Sequence, residues 1–182
     1  EAYYIVGNHE QNLLDELEGW LTRVEKTGVK ALMNECVDIE RNGQKIKLYG
    51  LYFHLMYYKD INDEALSDIM FTPEKMDKLI GTKDPEFYTV LLAHNPVYFE
   101  TYSEWGADLV LSGHMHGGVI IIPFAGGMLS PEKELFPEYY GGLFSIGASS
   151  MIVNRGLSKG AGIPRIFNLP ELTLIELKHK PN

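Results

Sequence analysis

The sequence predicts a layered α/β fold, and two features of the chain carry that prediction. Apolar, strand-like runs end at short loops that are rich in glycine, asparagine and histidine. In the middle of the chain, residues 87–92 read as a central strand, 97–105 as a helix and 108–111 as the next parallel strand. The order strand, loop, helix, strand is typical of layered α/β proteins.

The first third of the chain predicts one helix and one hairpin. Leucine, tryptophan and valine recur at helical spacing over residues 11–26, and Thr27-Gly28 ends the pattern. We expect this segment to be an amphipathic helix packed on a sheet. Residues 37–41 and 45–51 flank Asn42-Gly43, which favours a tight hairpin turn.

Residues 51–58 form an aromatic run that suits a lid or a partner surface, although buried packing is the better interpretation. Thr72 and Pro73 then favour a helix start, with threonine as the cap and proline at the first position. We expect this helix to end near Ile80.

The last third predicts short strands of a second, largely antiparallel sheet. The candidate strands are residues 119–122, 142–146, 151–154 and 173–177. Together with the central strands, they predict a two-sheet sandwich flanked by helices.

The composition of the chain excludes some classes of function but does not identify the function. The 182 residues suit one domain, and the net charge of −9 argues against a nonspecific nucleic-acid binder, which needs clustered Lys and Arg. A phosphate substrate remains compatible with this charge, because bound divalent ions would reverse the sign within a pocket. Cys36 is the single cysteine and reads as a small, buried hydrophobic residue.

Three loops carry residues with metal-binding chemistry. They are Gly7-Asn8-His9-Glu10, Ala93-His94-Asn95-Pro96 and Ser112-Gly113-His114-Met115-His116-Gly117-Gly118. Each follows an apolar run, and ligands gather at the carboxyl ends of strands in α/β proteins. An extended His114 to His116 segment would direct both imidazoles to the same side, and the flanking glycines would allow a tight backbone path. The set therefore predicts a binuclear metal site.

A zinc β-lactamase-like site was the competing interpretation of the same histidines. Such sites continue as H-x-H-x-D-H, and Gly118 and Val119 do not fit that pattern.

The ordered motifs resemble those of the calcineurin-like metallophosphoesterases, which read GNH[D/E], then a histidine closing a strand, then GHxH. Residues 140–144, 153–157 and 170–175 look like the bacterial branch of membrane-associated or exported phosphoesterases. The resemblance covers essentially all of residues 1–182. It implies a single domain with a four-layer α/β/β/α sandwich.

The resemblance also implies roles for the loop residues. Asn8, His94 and His114 would hold one divalent ion and His116 the other, with Mn, Fe or Zn as the metals. A hydroxide bridging the two ions would attack a phosphate ester, such as a phosphodiester, while His9 donates a proton to the leaving oxygen. The membrane-associated branch makes a lipid-linked substrate and membrane association plausible.

The chain departs from the family pattern at its start. The D-x-H and G-D motifs, which supply an aspartate and a histidine to one ion and the bridging aspartate, do not occur before Gly7. We therefore expect the chain to be the C-terminal two thirds of the domain, with the missing N-terminal segment as its partner. Alone it is expected to be weakly active or inactive. The alternative is a catalytically incomplete scaffold that retains the fold.

Other polar residues have weaker assignments. Arg155 is a candidate substrate-binding residue; the alternative is that it lies at the surface or pairs with a carboxylate and has a structural role. Glu10 is either a carboxylate partner of His9 or a charge at a helix N-terminus. Asn95 either caps the next helix or contacts substrate. Residues 123–137 are a candidate wall or lid, while His54 and His179 receive no role.

Overall fold

The computed structural model describes residues 1–58, 70–158 and 164–178. Its strands are β1 (Ala2–Tyr4), β2 (Val29–Ala31), β3 (Glu35–Arg41), β4 (Gln44–Leu51), β5 (Tyr88–Ala93), β6 (Leu109–Ser112), β7 (Ile121–Ile122), β8 (Gly126–Gly127), β9 (Gly142–Ile146) and β10 (Ser149–Val153). Its α-helices are α1 (Asn8–Gln11), α2 (Leu17–Glu25), α3 (Pro73–Ile80) and α4 (Phe99–Trp105). His179, which was given no role, lies outside the described residues.

A six-stranded mixed sheet in the order β3-β4-β5-β6-β10-β9 forms the centre of the protein. Strands β4, β5, β6 and β10 run parallel, while β3 and β9 join the two edges antiparallel. Two small sheets accompany it: β1 pairs with β2 in parallel, and β7 pairs with β8 antiparallel. The predicted α/β class with a central mixed sheet is confirmed.

The prediction of one separate antiparallel sheet for the last third holds only for β7, which pairs with β8, and is wrong for the strands at 142–146 and 151–154. Strands β9 and β10 belong to the central sheet, because β10 pairs with β6 in parallel register from Ser150↔Leu109 to Val153↔Ser112. Residues 173–177 are not a strand. Their side chains do alternate between half-buried and exposed, so the period-2 pattern is real, but no strand of the described chain pairs with them.

The predicted helix over residues 11–26 is present in two pieces. Helix α1 begins at Asn8, and a 3-10 turn over Leu14–Glu16 separates it from α2. The Asn12 side-chain amide donates to the Asn8 carbonyl at 3.0 Å, and such side-chain bonds compete with helix propagation. Helix α2 packs on β2, and its Trp20 indole N–H donates to the Tyr4 hydroxyl at 3.3 Å.

The hairpin and the two later helices follow the sequence closely. Asn42 and Gly43 both adopt positive φ, 52° and 74°, as a tight turn matched to the strand twist requires. Helix α3 begins at Pro73 after Thr72 and ends at Ile80. Helix α4 follows a 3-10 turn over Pro96–Tyr98.

The core lies on both faces of the central sheet. Helices α3 and α4 cover one face, where Phe53 and Tyr58 of the aromatic run are buried with Met76 and Tyr102, so the prediction of buried packing is confirmed. The opposite face packs against the β1–β2 sheet through Leu32, Leu48, Val90 and Leu109. Within the described residues, no helix is long and apolar enough to cross a membrane.

Candidate metal centre

The three motif loops meet at one end of the molecule. The loop with His94 follows β5 and the loop with His114 follows β6, so both lie at the carboxyl edge of parallel strands. The Gly113 N–H donates to the His94 carbonyl at 3.1 Å, which ties these two loops together. Asn8 arrives from the other sheet, at the start of α1 just after β1.

Asn8, His94 and His114 converge on one point. The Asn8 Oδ1 atom lies 3.2 Å from His94 Nε2 and 3.2 Å from His114 Nδ1. The two imidazole centroids are 5.3 Å apart. Ligands about 2.1 Å from a shared ion lie about 3.0–3.4 Å from each other in octahedral or tetrahedral geometry. One amide oxygen and two imidazole nitrogens at this spacing fit a hard-to-borderline divalent cation.

This convergent set depends on the amide oxygen of Asn8. In residues 1–58, 70–158 and 164–178, no three His, Cys, Asp or Glu side chains gather as a metal-binding group. The described chain therefore offers three ligands to one ion, none of them a carboxylate.

Gly7 allows the close approach of Asn8 to the histidines. A Cβ atom on Gly7 would lie 2.8 Å from His94 Nε2 and 2.9 Å from His94 Cε1. Its φ of −96° is open to any residue, so the requirement for glycine is steric and does not come from the backbone conformation.

Burial keeps His94 neutral. It lowers the pKa of His94 to about 3, with smaller contributions from the charges of His114, His116 and His9. A neutral imidazole presents the lone pair that a metal ion requires.

Glu132 fixes the orientation of His114. The buried His114 ring directs Nε2 at the Glu132 carboxylate, and the Tyr58 ring packs edge-on against it with centroids 5.1 Å apart. Because an ionised carboxylate only accepts hydrogen bonds, Glu132 favours the tautomer of His114 that donates from Nε2 and keeps a lone pair on Nδ1. That lone pair faces Asn8.

The segment from His114 to His116 is a turn and is not extended as expected. His114 and His116 have φ values of 64° and 49°, and Met115 between them is helical. Gly117 and Gly118 continue at positive φ, and a Cβ on Gly117 would lie 2.5 Å from Asn168 Oδ1, so the expected tight path is confirmed.

His116 and His9 lie beside the convergent set. His116 is half-buried, and its carbonyl accepts a hydrogen bond from Asn168 Nδ2 at 2.6 Å. Burial lowers the pKa of His116, and the positive charge of Arg165 adds to this effect. His9 is exposed to solvent on α1. The metal and catalytic roles of these residues stay predictions.

The other candidates have structural partners. The Glu10 carboxylate accepts from the Gly7 N–H at 3.0 Å at the start of α1. Asn95 Oδ1 accepts from the Val97 N–H at 3.1 Å and caps the 3-10 turn before α4. Arg155 donates from Nε to Glu171 at 3.0 Å, so its guanidinium is engaged by a carboxylate, and its substrate role stays a prediction.

Three residues around the site were missed by sequence reasoning: Glu132, Arg165 and Asn168. The loop of Glu132 was singled out as a candidate wall, and the acid within it was the available signal. Arg165 and Asn168 lie between the segments noted for their family resemblance, residues 153–157 and 170–175, and no local pattern separated them from surface polar residues.

The chain matches several known proteins over its length. The phosphodiesterase YaeI of Escherichia coli is 30% identical over 122 residues, covering 60% of this chain and 44% of the relative. A metallophosphoesterase of Helicobacter pylori strain J99 is 32% identical over 184 residues, covering 98% of this chain and 43% of the relative. The UDP-2,3-diacylglucosamine pyrophosphatase LpxG of Chlamydia muridarum is 30% identical over 149 residues, covering 74% and 44%.

These matches span less than half of each of the three relatives. No family model and no solved structure matches the chain.

Proposed function

Because the chain belongs to the calcineurin-like metallophosphoesterase family, we propose that it forms part of an enzyme that hydrolyses a phosphodiester with two divalent metal ions. The observation that carries this proposal is the convergence of Asn8, His94 and His114 at 3.2 Å spacing. The relatives are named as metallophosphoesterases, a phosphodiesterase and a pyrophosphatase, all of which act on phosphate linkages.

Each residue of the site has a distinct proposed role. Asn8, His94 and His114 hold one ion of Mn, Fe or Zn, and His116 contributes to the other. Bound divalent ions would activate water and neutralise charge on the phosphoryl oxygens. Glu132 holds His114 with Nδ1 free to bind metal, and burial keeps His94 unprotonated.

His9 is the proposed proton donor to the leaving oxygen. Its exposure on α1 leaves it accessible to a bound ester, and an imidazole exchanges protons near neutral pH. Glu10 is turned to the Gly7 N–H, which supports its role at the helix start over a role as the partner of His9.

The layers of the structure support the four-layer α/β/β/α sandwich as part of the same proposal. Helices α3 and α4 cover one face of the central sheet, β1 and β2 pack on the other, and α2 packs on β2.

We also propose a lipid-linked or other envelope phosphoester as the substrate and a bacterial membrane-associated or exported location. The support is the similarity to LpxG, which is named for hydrolysis of UDP-2,3-diacylglucosamine.

A catalytically incomplete scaffold is the second candidate. The observation that favours it is the absence of a carboxylate from the convergent set within the described residues. Family metal sites use carboxylate ligands as well as amide and imidazole ligands, so this set alone would retain metal weakly.

The test measures metal content and hydrolysis of bis-p-nitrophenyl phosphate and p-nitrophenyl phosphate with added Mn²⁺. We expect weak metal-dependent turnover from this chain alone, faster with the diester, that His114→Ala reduces to background because it removes one of three ligands. His54→Ala is the matched control, because His54 is exposed and lies outside the site. No bound metal and no turnover in the unmodified chain would favour the scaffold.

A further inference from the structure

A second arginine lies behind Arg155 and is held by it. Arg155 donates to Glu171 Oε2 from Nε at 3.0 Å and from its backbone N–H at 3.1 Å. Arg165 Nη2 in turn donates to the Arg155 carbonyl at 2.6 Å. The Glu171 carboxylate is therefore occupied by Arg155, and within residues 1–58, 70–158 and 164–178 the Arg165 guanidinium is anchored through Nη2.

Two nitrogen atoms of the Arg165 guanidinium lack an acceptor among the described residues. Its Nε and Nη1 atoms are buried and form no hydrogen bond in the part of the chain that the structure describes. Asn168 Oδ1, a buried acceptor, also lacks a partner there. An unpaired buried donor of a charged group costs more free energy than an unpaired donor of a neutral group. Such groups in a folded protein call for a ligand, an ion or a water molecule.

The segment that carries this guanidinium packs against the turn of His116 at the candidate metal centre. Asn168, three residues later, donates to the carbonyls of His116 and Val119 at 2.6 and 3.0 Å. Ile166, the next residue, forms a parallel bridge with Ile120, and the Ile121 N–H donates to the Ile166 carbonyl at 3.0 Å. The segment of Arg165 is thereby fixed against the turn that carries His116.

The packing at Gly117 shows how close this contact is. A Cβ there would lie 2.5 Å from Asn168 Oδ1 and 2.9 Å from Arg155 Cγ. Burial lowers the pKa of His116, and the positive charge of Arg165 lowers it further.

We propose that Arg165 is a substrate-binding residue that donates hydrogen bonds to an oxygen of the phosphate group beside His116. Arginine suits this task because its planar guanidinium is always charged and matches phosphate oxygens. Arg155 then acts as a positioning residue, since its carbonyl and its link to Glu171 hold Arg165 in place. This inference rests on the proposed phosphoesterase function and adds to it a residue that recognises the anion.

The first test measures binding of inorganic phosphate to the full chain by titration calorimetry with Mn²⁺ present. We expect Arg165→Ala to weaken phosphate binding by about 10- to 100-fold, the range for hydrogen bonds to a charged group. Arg165→Lys should recover part of the loss, since it keeps the charge without the planar donors. Arg41→Ala on the exposed hairpin is the control and should bind phosphate as the unmodified chain does.

A second readout separates binding from folding. Melting temperature identifies any variant that fails to fold, and Arg165→Lys and Arg165→Gln then replace the alanine variant. With bis-p-nitrophenyl phosphate, we expect KM to rise about 10-fold or more in Arg165→Lys with a smaller change in kcat. A structural role would instead lower the melting temperature and leave KM unchanged.

The outcomes for this inference and for the function differ. Phosphate binding that is equal in folded Arg165 variants and the unmodified chain overturns the inference, even if hydrolysis is observed. Absence of phosphate binding in the unmodified chain overturns it as well. Phosphate binding that needs Arg165, without hydrolysis by the unmodified chain, supports the inference and favours the scaffold over the proposed activity.

Discussion

At the scale of single residues, Glu132 controls which nitrogen of His114 faces Asn8. We expect Glu132→Ala to weaken Mn²⁺ binding by about 10- to 100-fold, because a residue that orients a ligating histidine contributes on that scale. Equilibrium dialysis against Mn²⁺ measures the change. Glu134→Ala, an exposed acid in the same loop, is the matched control. Equal metal affinity in the two variants would contradict the role of Glu132.

Gly7 makes a second residue-scale prediction. Gly7→Ala places a methyl group 2.8 Å from His94 Nε2, so His94 must move from its partners. We expect at least about a 10-fold loss of metal affinity and a cost of about 1–3 kcal/mol in the free energy of unfolding, as for other overpacked sites.

The control for Gly7 is Gly19→Ala in α2, where a Cβ meets nothing within 4 Å. That change should stabilise the helix by about 0.5–1 kcal/mol. Urea unfolding measures both variants. A Gly7→Ala protein with unchanged stability and metal affinity would show that His94 is free to shift.

The convergent residues could be predicted from the sequence, but the residues that position them could not. Asn8, His94 and His114 each lie in a short motif that follows a strand. Because the carboxyl ends of neighbouring parallel strands lie at one edge of a sheet, residues that follow them are expected to be close together. Glu132 and Arg165 act through contacts that depend on how distant loops fold back, which no local spacing encodes. The extended path expected for His114 to His116 failed because glycine-rich loops adopt positive φ readily.

At the scale of elements, the candidate centre joins two sheets. Asn8 follows β1 in the small sheet, whereas His94 and His114 follow strands of the central sheet. A bound ion would therefore hold the two sheets together. At 100 times its dissociation constant, such an ion adds about 2.7 kcal/mol to the free energy of unfolding.

The melting temperature should report this link. We expect Mn²⁺ to raise it by roughly 5–10 °C in a protein of this size, and EDTA to reverse the change. The His114→Ala chain should melt at the same temperature with Mn²⁺ and with EDTA. An equal Mn²⁺ shift in both chains would place the ion elsewhere.

Turns and helix starts that are encoded by a few neighbouring residues could be predicted from the sequence, whereas the pairing of strands could not. The Asn42-Gly43 turn and the Thr72-Pro73 helix start are encoded by residues that favour one backbone conformation. Strand β10 looks the same in sequence whether it pairs with β6 or joins another sheet. Its place is decided by contacts about 40 residues apart in the chain.

At the scale of the whole molecule, the net charge of −9 coexists with two arginines that contact each other. Arg155 and Arg165 are both held near His116 by contacts with one another. An acidic protein can therefore present a local site for an anion, particularly once divalent ions add their charge.

Among the described strands, β3 is at the edge of the central sheet and pairs on one side only, and its charged residues protect that edge against aggregation. Asp38 on β3 forms ion pairs with Lys45 and Lys47 of β4, both at 2.9 Å, and Glu35, Glu40 and Arg41 are exposed along the same strand. A strand from another chain that docked here would bring its side chains against this row of fixed charges. The charged β3–β4 hairpin at the edge of the sheet therefore also opposes strand pairing between two molecules.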